Sequence, residues 1–289
     1  MKTNFKGWAI YPSPQTQQQR ENNAFSMMQE AALKNGIEIK VLFLEDLAIS
    51  VSKNKLGLLY KGKEIEKPLF AIMRCYETHL SQHLEMMGVR LFNSHNSMCT
   101  SQDKFTTHQR LALLNIPTPK TYWGITSYKE ACTILGSTSF IMKLPVGSKG
   151  EAVYLVDNED EFNTHPNSLV QEYISESRGR DIRVWVVGGI AIAAVERMND
   201  ASFLSNYAQG GSAKKINLTS SISDLAIKGC QALGLEFAGV DILYLKDGTY
   251  TICEINGNAG FRTLWLTNQE INLLDELFKY IRGSFLEKI

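Results

Sequence analysis

The stretch Ala238-Gly239-Val240-Asp241-Ile242-Leu243-Tyr244-Leu245, followed by Lys246-Asp247-Gly248 and Thr249-Tyr250-Thr251-Ile252-Cys253-Glu254-Ile255-Asn256, reads as two apolar strands joined by a tight turn. Strand formers dominate both runs, and Asp247-Gly248 is a dipeptide that favours a two-residue hairpin turn. With those two residues at its centre, Lys246 faces Thr249, and counting back pairs Leu245 with Tyr250, Leu243 with Ile252 and Asp241 with Glu254. Two carboxylates then stand opposite each other, roughly 5 Å apart at Cβ, where like charges repel unless a cation cancels them. Asn256, two residues beyond Glu254, points to the same face. Asp241, Glu254 and Asn256 offer only oxygen, the donor set of a hard ion such as Mg²⁺ that keeps waters and takes its other ligands from phosphates. The alternative is a hairpin whose acids lie on a solvated face.

At 289 residues the chain is long enough for two or three lobes, and its 30 Lys and Arg balance 30 Asp and Glu. Zero formal charge without long basic or acidic runs argues against nucleic acid or a membrane surface as partner and favours a small charged ligand. No signal-peptide pattern and no run of membrane-spanning length is visible, so a cytoplasmic protein is expected. The five cysteines, Cys75, Cys99, Cys132, Cys230 and Cys253, are dispersed, odd in number and free of any Cys-x-x-Cys pair. They read as free thiols, with Cys253 on the core face of the hairpin and Cys75 able to line a pocket.

Residues 7–11, 15–35 and 37–44 read as strand, helix and strand, a β-α-β opening without the Gly-x-Gly-x-x-Gly of a dinucleotide site. A hairpin around Lys61-Gly62-Lys63, a strand over 69–73 and a helix over 78–87 complete an α/β lobe ending near Asn93. Ser101 is the expected N-cap of a helix running to Leu114, with Lys104 in its first turn. A lysine there opposes the helix dipole, so an anionic partner makes sense of it. Strand 140–144 carries Lys143. It leads through Gly147-Ser148-Lys149-Gly150, whose backbone N–H groups can cradle phosphate oxygens, into strand 152–156. The run 168–174 reads as a buried strand. Residues 182–187 and 190–196 form a hairpin about Gly188-Gly189 bearing Asp181, Arg183 and Arg197, and guanidinium forks suit phosphate oxygens. A helix over 223–233 closes at Gly234, and an amphipathic helix spans 270–281 with Leu273, Leu274, Leu277 and Ile281 towards a core.

In this order, Lys104, Lys143, the glycine loop, Gln171-Glu172-Tyr173-Ile174, Asp181-x-Arg183, Arg197, Phe203-Leu204-Ser205-Asn206 with Gly210-Gly211, Asp241 and Glu254-x-Asn256 make a signature. The chain resembles ATP-grasp ligases, and more narrowly RimK-like amino-acid ligases that add glutamate or related amines to carboxylates, over roughly residues 74–260. That resemblance implies an α/β ATP-grasp fold: an N-terminal Rossmann-like α/β lobe (1–95), a small central α+β lid lobe (96–174) and a C-terminal mixed-sheet lobe with the metal site (175–289).

It implies ATP held with two Mg²⁺ ions, for which Mn²⁺ can substitute. Lys104 and Lys143 would meet the phosphates, Gln171, Glu172, Tyr173 and Ile174 would form the adenine hinge, and Gly147, Ser148 and Gly150 would close as a lid. Asp181, Ser205 and Asn206 would complete the nucleotide contacts. Asp241, Glu254 and Asn256 would hold the metal, and Arg183 and Arg197 would stand beside the transferring phosphoryl group. The implied reaction joins an amino acid such as glutamate to a small metabolite, peptide or carrier protein through an acylphosphate, in a homodimer or homotetramer. A thiol acceptor, bare phosphoryl transfer and a non-catalytic ATP-binding sensor are the alternatives. Three departures stand out. Leu204 replaces an expected arginine, Glu151-Ala152 replaces a glycine in the lid, and Asn258-Ala259-Gly260 replaces Ser-Pro-Gly ahead of Arg262, a candidate to receive a second carboxylate, and Trp265, a candidate wall of the substrate pocket whose alternative is a buried core side chain.

Overall fold

The computed structural model describes residues 5–13, 24–147, 152–205, 211–268 and 270–286. Positions 15–23 of the first expected helix, the lid residues Ser148 and Gly150, and Asn206 lie outside that set. The chain divides into two compact units, Met1–Cys99 with Leu235–Phe237 and Asn272–Ile289, and Thr100–Gly234 with Ala238–Ile271.

The first unit opens with β1 (Lys6–Tyr11), α1 (Ala24–Lys34) and β2 (Glu38–Phe43), the expected β-α-β start. Strands β3 (Leu47–Ser52), β4 (Lys55–Tyr60) and β5 (Lys63–Glu64) form a separate three-stranded sheet. Its first strand has no counterpart in the sequence reading, because only Leu47 and Ser50 of Leu47–Ser52 are even partly buried and neither face is buried fully. Then β6 (Phe70–Met73), α2 (Thr78–Met86) and β7 (Arg90–Phe92) complete a four-stranded sheet of order β2-β1-β6-β7, paired in parallel. Covered on both faces, β1 and β6 read as continuous apolar runs rather than alternating ones. Ala9, Ile10, Phe70 and Ala71 are fully buried.

In the second unit α3 (His95–Gln102), which begins in the first, gives way to α4 (Lys104–Leu113). Asp103 is the N-cap of α4, its Oδ1 accepting from Thr106 N at 2.8 Å. The expected cap, Ser101, lies in the preceding helix; two short helices replace one long one because an Asp at this position caps as well as Ser and breaks the run. The sheet β10-β9-β11-β8 is built from β8 (Thr121–Tyr122), β9 (Phe140–Lys143), β10 (Val153–Val156) and β11 (Leu169–Glu172), with α5 (Tyr128–Leu135) and α6 (Glu159–Thr164) between its strands. The sheet β14-β13-β12-β15-β16 holds β12 (Arg180–Val187), β13 (Ile190–Met198), β14 (Ser212–Ile216), β15 (Phe237–Tyr244) and β16 (Tyr250–Asn256). Helix α7 (Ser220–Leu233) precedes β15 and α8 (Arg262–Thr267) follows β16. The C-terminal helix Leu273–Leu286 belongs to the first unit.

The hairpin β15–β16 differs from expectation in its turn. Leu245 N donates to Thr249 O at 2.9 Å and Gly248, at φ 82°, donates to Leu245 O at 3.1 Å, so the loop has three residues, Lys246-Asp247-Gly248. Tyr244 therefore faces Tyr250 and Ile242 faces Ile252, not the expected Leu245–Tyr250 and Leu243–Ile252 pairs. A bulge then leaves Cys253 without a partner across the ladder, and Asp241 faces Glu254 after all. A bulge turns two successive side chains towards one side of the sheet. Cys253, expected in the core, accordingly lines the same cavity as Glu254.

Candidate active site

The five-stranded sheet gathers four charges. Arg197 on β13 faces Asp181 on β12 across the ladder, and its Nε and Nη2 donate to the two Asp181 oxygens, the Nε bond at 2.7 Å. Arg183, two residues along β12 from Asp181, forks onto both oxygens of Asp241, with Nη2 at 2.7 Å from Oδ2. Arg197 Nη2 also lies 3.0 Å from Asp241 Oδ2. Gly239 makes the fork possible, since a Cβ there would come within 3.0 Å of Arg183 Cδ and Nη1.

Asp181, Arg197 and Asp241 are each less than a tenth exposed. Burial alone would raise the Asp241 carboxyl, but Arg183 and then Arg197 outweigh it and hold the group below the usual carboxylate range. Burial likewise opposes the Arg197 charge, and the two aspartates more than restore it. The cation that the Asp241–Glu254 pairing demands is thus supplied by guanidinium on the Asp241 side.

The sheet β10-β9-β11-β8 and α4 line the same cavity, through Lys104, Ile141, Lys143, Val153 and Gln171. Lys104 is 8% exposed and Lys143 3%, and neither forms a salt bridge among the described residues. Among the described residues Lys104 Nζ donates only to Gly147 O, at 3.1 Å. Its burial, with Lys143 adding repulsion and Glu254 opposing both, lowers its pKa. Glu254 faces the cavity with no hydrogen-bond donor or ion-pair partner among the described residues. Two buried ammonium groups and an open carboxylate around one cavity make a place for an anion that brings a cation with it.

The donor chemistry fits Mg²⁺ at Glu254 and, through the lone pair Arg183 leaves on Oδ1, at Asp241. Asn256 is placed differently: its Oδ1 accepts from Asn258 N at 2.8 Å, and it is not among the cavity's lining residues. No three His, Cys, Asp or Glu side chains converge as a metal site among the described residues, which accords with a set of two acids completed by ligand oxygens.

Of the other residues singled out in the sequence, Gln171, Glu172, Tyr173, Ile174, Asp181, Arg197 and Ser205 line the cavity, whereas Arg183 reaches it only through Asp241. Leu204 lines it too, an apolar side chain at the position of the missing arginine. Lys214 pairs with Glu196 at 2.7 Å and Lys215 with Glu270 at 3.7 Å, and neither lines the cavity in place of that arginine. Trp265 is 41% exposed, Arg262 is exposed, and neither lines this cavity. Sequence reasoning passed over Arg180, which lines the cavity and stacks on Tyr244 at 4.4 Å, and His108. His108 carries a signal: it sits four residues after Lys104, hence on the same buried face of α4.

The family model of the RimK-like ATP-grasp domain matches residues 101–281. A probable alpha-L-glutamate ligase of Maridesulfovibrio salexigens is 31% identical over 92% of this chain and 93% of its own length. Beta-citrylglutamate synthase B of Danio rerio is 28% identical over 88% of this chain and 68% of its own. The structure of the ATP-grasp ligase PsnB, complexed with a phosphomimetic variant of its minimal precursor, Mg and ADP, superimposes with a TM-score of 0.72 at 16% identity over 98% of this chain and 99% of that one. With the domain model covering well over half of its length, the chain belongs to the RimK-like ATP-grasp family, whose members are ATP-dependent ligases.

Proposed function

We propose that the cavity binds ATP with Mg²⁺ and that the enzyme joins an amino acid of the glutamate type to a carboxylate-bearing small molecule, peptide or carrier protein. The observation that carries this reading is the pair of buried lysines, Lys104 and Lys143, without salt-bridge partners among the described residues and facing the open carboxylate of Glu254. The lysines would hold the phosphates. Gln171, Glu172, Tyr173 and Ile174 would form the adenine hinge, and Gly147, with Ser148 and Gly150, would close over the nucleotide. Asp181, Ser205 and Asn206 would complete its contacts.

Asp241 and Glu254, with Asn256, would hold two Mg²⁺ ions, or Mn²⁺. When bound, these ions offset charge on the phosphate oxygens. The substrate carboxylate attacks the terminal phosphorus of ATP, releasing ADP and forming an acylphosphate; the amine then adds to the acyl carbon and expels phosphate, leaving an amide and a proton. Arg197, with Arg183 behind it, meets negative charge as it develops on the phosphoryl and tetrahedral oxygens. Preorganised charge of this kind needs no nucleophilic side chain. The expected assembly is a homodimer or homotetramer, which light scattering tests.

The decisive experiment is ADP release by purified protein supplied with ATP, Mg²⁺, amino acids and carboxylate mixtures. ADP formation that depends on an added amine supports the ligase, whereas ATP binding with no ADP from any mixture sinks it and leaves a nucleotide sensor. Replacing the open carboxylate by its amide, Glu254→Gln, should reduce ADP formation by more than about a hundredfold with an unchanged melting curve. Undiminished turnover would remove Glu254 from the metal site.

A further inference from the structure

His108 on α4 is 4% exposed and is not among the residues lining the active-site cavity, yet it governs one that is. The hydrogen atoms around it can be assigned one by one. Thr121 Oγ1 donates its only proton to the carbonyl of Pro119, at 2.8 Å. It can therefore only accept from the Gln171 amide 2.8 Å away, so Gln171 must present nitrogen there. The second hydrogen of that nitrogen points at His108 Nε2, also at 2.8 Å, which must then be the unprotonated ring nitrogen. The imidazole proton consequently sits on Nδ1 and is donated to Thr118 Oγ1, whose own proton faces the carbonyl of Ile252 at 3.5 Å.

The relay is anchored at both ends on backbone carbonyls, which cannot reverse their role. Burial, with Lys143 and Lys104 adding positive charge nearby, keeps the imidazole neutral by lowering its pKa well below the usual histidine value. With both amide hydrogens spent, Gln171 offers the cavity its oxygen alone, and that oxygen has no donor among the described residues.

We propose that His108 is a positioning residue that holds the Gln171 amide oxygen towards the ligand, so that the cavity selects a nucleobase bearing an exocyclic amine over one bearing a carbonyl at the same place. The inference rests on the reading that the Gln171–Ile174 segment receives the base of a nucleotide. An amino group donates to the amide oxygen, whereas a carbonyl would set two acceptors against each other, and a site's unpaired polar group is what rejects the wrong ligand.

The test is calorimetric binding of ATP and of ITP, its 6-oxo counterpart, each with Mg²⁺, to the full-length protein. The unaltered protein should prefer ATP. His108→Leu removes one acceptor and frees the amide to rotate, and the preference should fall about tenfold, the worth of one hydrogen bond. Thr121→Val removes the other acceptor and should do the same, which keeps the test decisive if His108→Leu does not fold. His108→Gln, able to accept near the Nε2 position, should restore most of the preference. Loss of ATP and ITP affinity in equal measure, or an unchanged ratio in both variants, overturns the proposal, as does unaltered protein that binds the two equally. Unaltered protein that binds no ATP refutes the nucleotide reading itself, an outcome distinct from bound ATP with an unmoved ratio.

Discussion

Asp241 takes a fork from Arg183 on one strand and a single guanidinium nitrogen from Arg197 on the next. Because these partners hold its carboxyl below the ordinary range, the stability it confers is complete above the unfolded carboxylate value of about 3.9. It is lost as pH falls through the lower, folded value. Arg183→Met leaves Arg197 as the remaining partner, so the neutral-pH cost should be about 2 kcal/mol, less than the roughly 3–5 kcal/mol of stranding a buried charge. The carboxyl of the variant should titrate higher, and its acid destabilisation should begin at a higher pH. Melting temperatures measured from pH 3 to 7 check this; two curves that differ only by a constant offset would show that Arg183 does not set the Asp241 titration. At this scale the acids and cations were legible in the sequence, because side-chain chemistry is. That guanidinium already neutralises Asp241 was not legible, since nothing in the order of residues tells which of several cations will neutralise a given acid.

At the scale of elements, glycine decides where the cavity wall runs. Gly179, at φ 67°, donates to Phe203 O at 2.9 Å and accepts from Asn199 N at 2.7 Å, tying residues 199–205 to the start of β12. Phe203, Leu204 and Ser205 line the cavity from that segment. A Cβ on Gly179 would lie 2.7 Å from Ser202 O and closer still to Asn199 O, both of them backbone atoms with little freedom to give. Adding the left-handed backbone penalty to this clash, Gly179→Ala should cost about 2–4 kcal/mol and weaken nucleotide binding, read by a thermal melt and a titration on the same sample. A variant with unchanged melting temperature would mean the segment is not held through Gly179. The hairpin shows what periodicity reveals at this scale and what it hides. Its strands and its Asp-Gly signal were visible, but a three-residue loop in place of two shifts the register by one, and the bulge at Cys253 shifts it back. Asp241 meets Glu254 because two displacements cancel, and a bulge depends on cross-strand packing that no local pattern records.

For the whole molecule, the order of motifs carried the fold, while the pairing of distant segments lay beyond it. An amphipathic stripe shows that the C-terminal helix Leu273–Leu286 buries one face, without showing which surface receives it. In the structure it packs against α1 in the first unit, although β8 to β16 lie between them in sequence. Lys34 Nζ and Asn35 Nδ2 donate to the two oxygens of Asp275, at 2.8 and 2.7 Å, and Arg282 Nη1 donates to Asn35 O at 2.9 Å. Leu273, Leu274, Leu277, Phe278 and Ile281 are 3% exposed or less. Phe285 rests against Phe5, Phe70 and Phe92 beneath the parallel sheet. At roughly 1.5–3 kcal/mol for each fully buried side chain, those five apolar residues alone contribute an amount comparable with the ~5–15 kcal/mol that holds a typical domain folded. A chain ending before Leu273 should therefore leave the first unit unfolded and its exposed parallel sheet prone to aggregate, while the second unit should keep its own core. Limited proteolysis checks this directly: cleavage should concentrate within residues 24–99 and spare residues 152–205. Equal resistance in both regions of the truncated chain, with a single cooperative melt as in the full-length protein, would show that the helix is an appendage rather than part of the first unit's core.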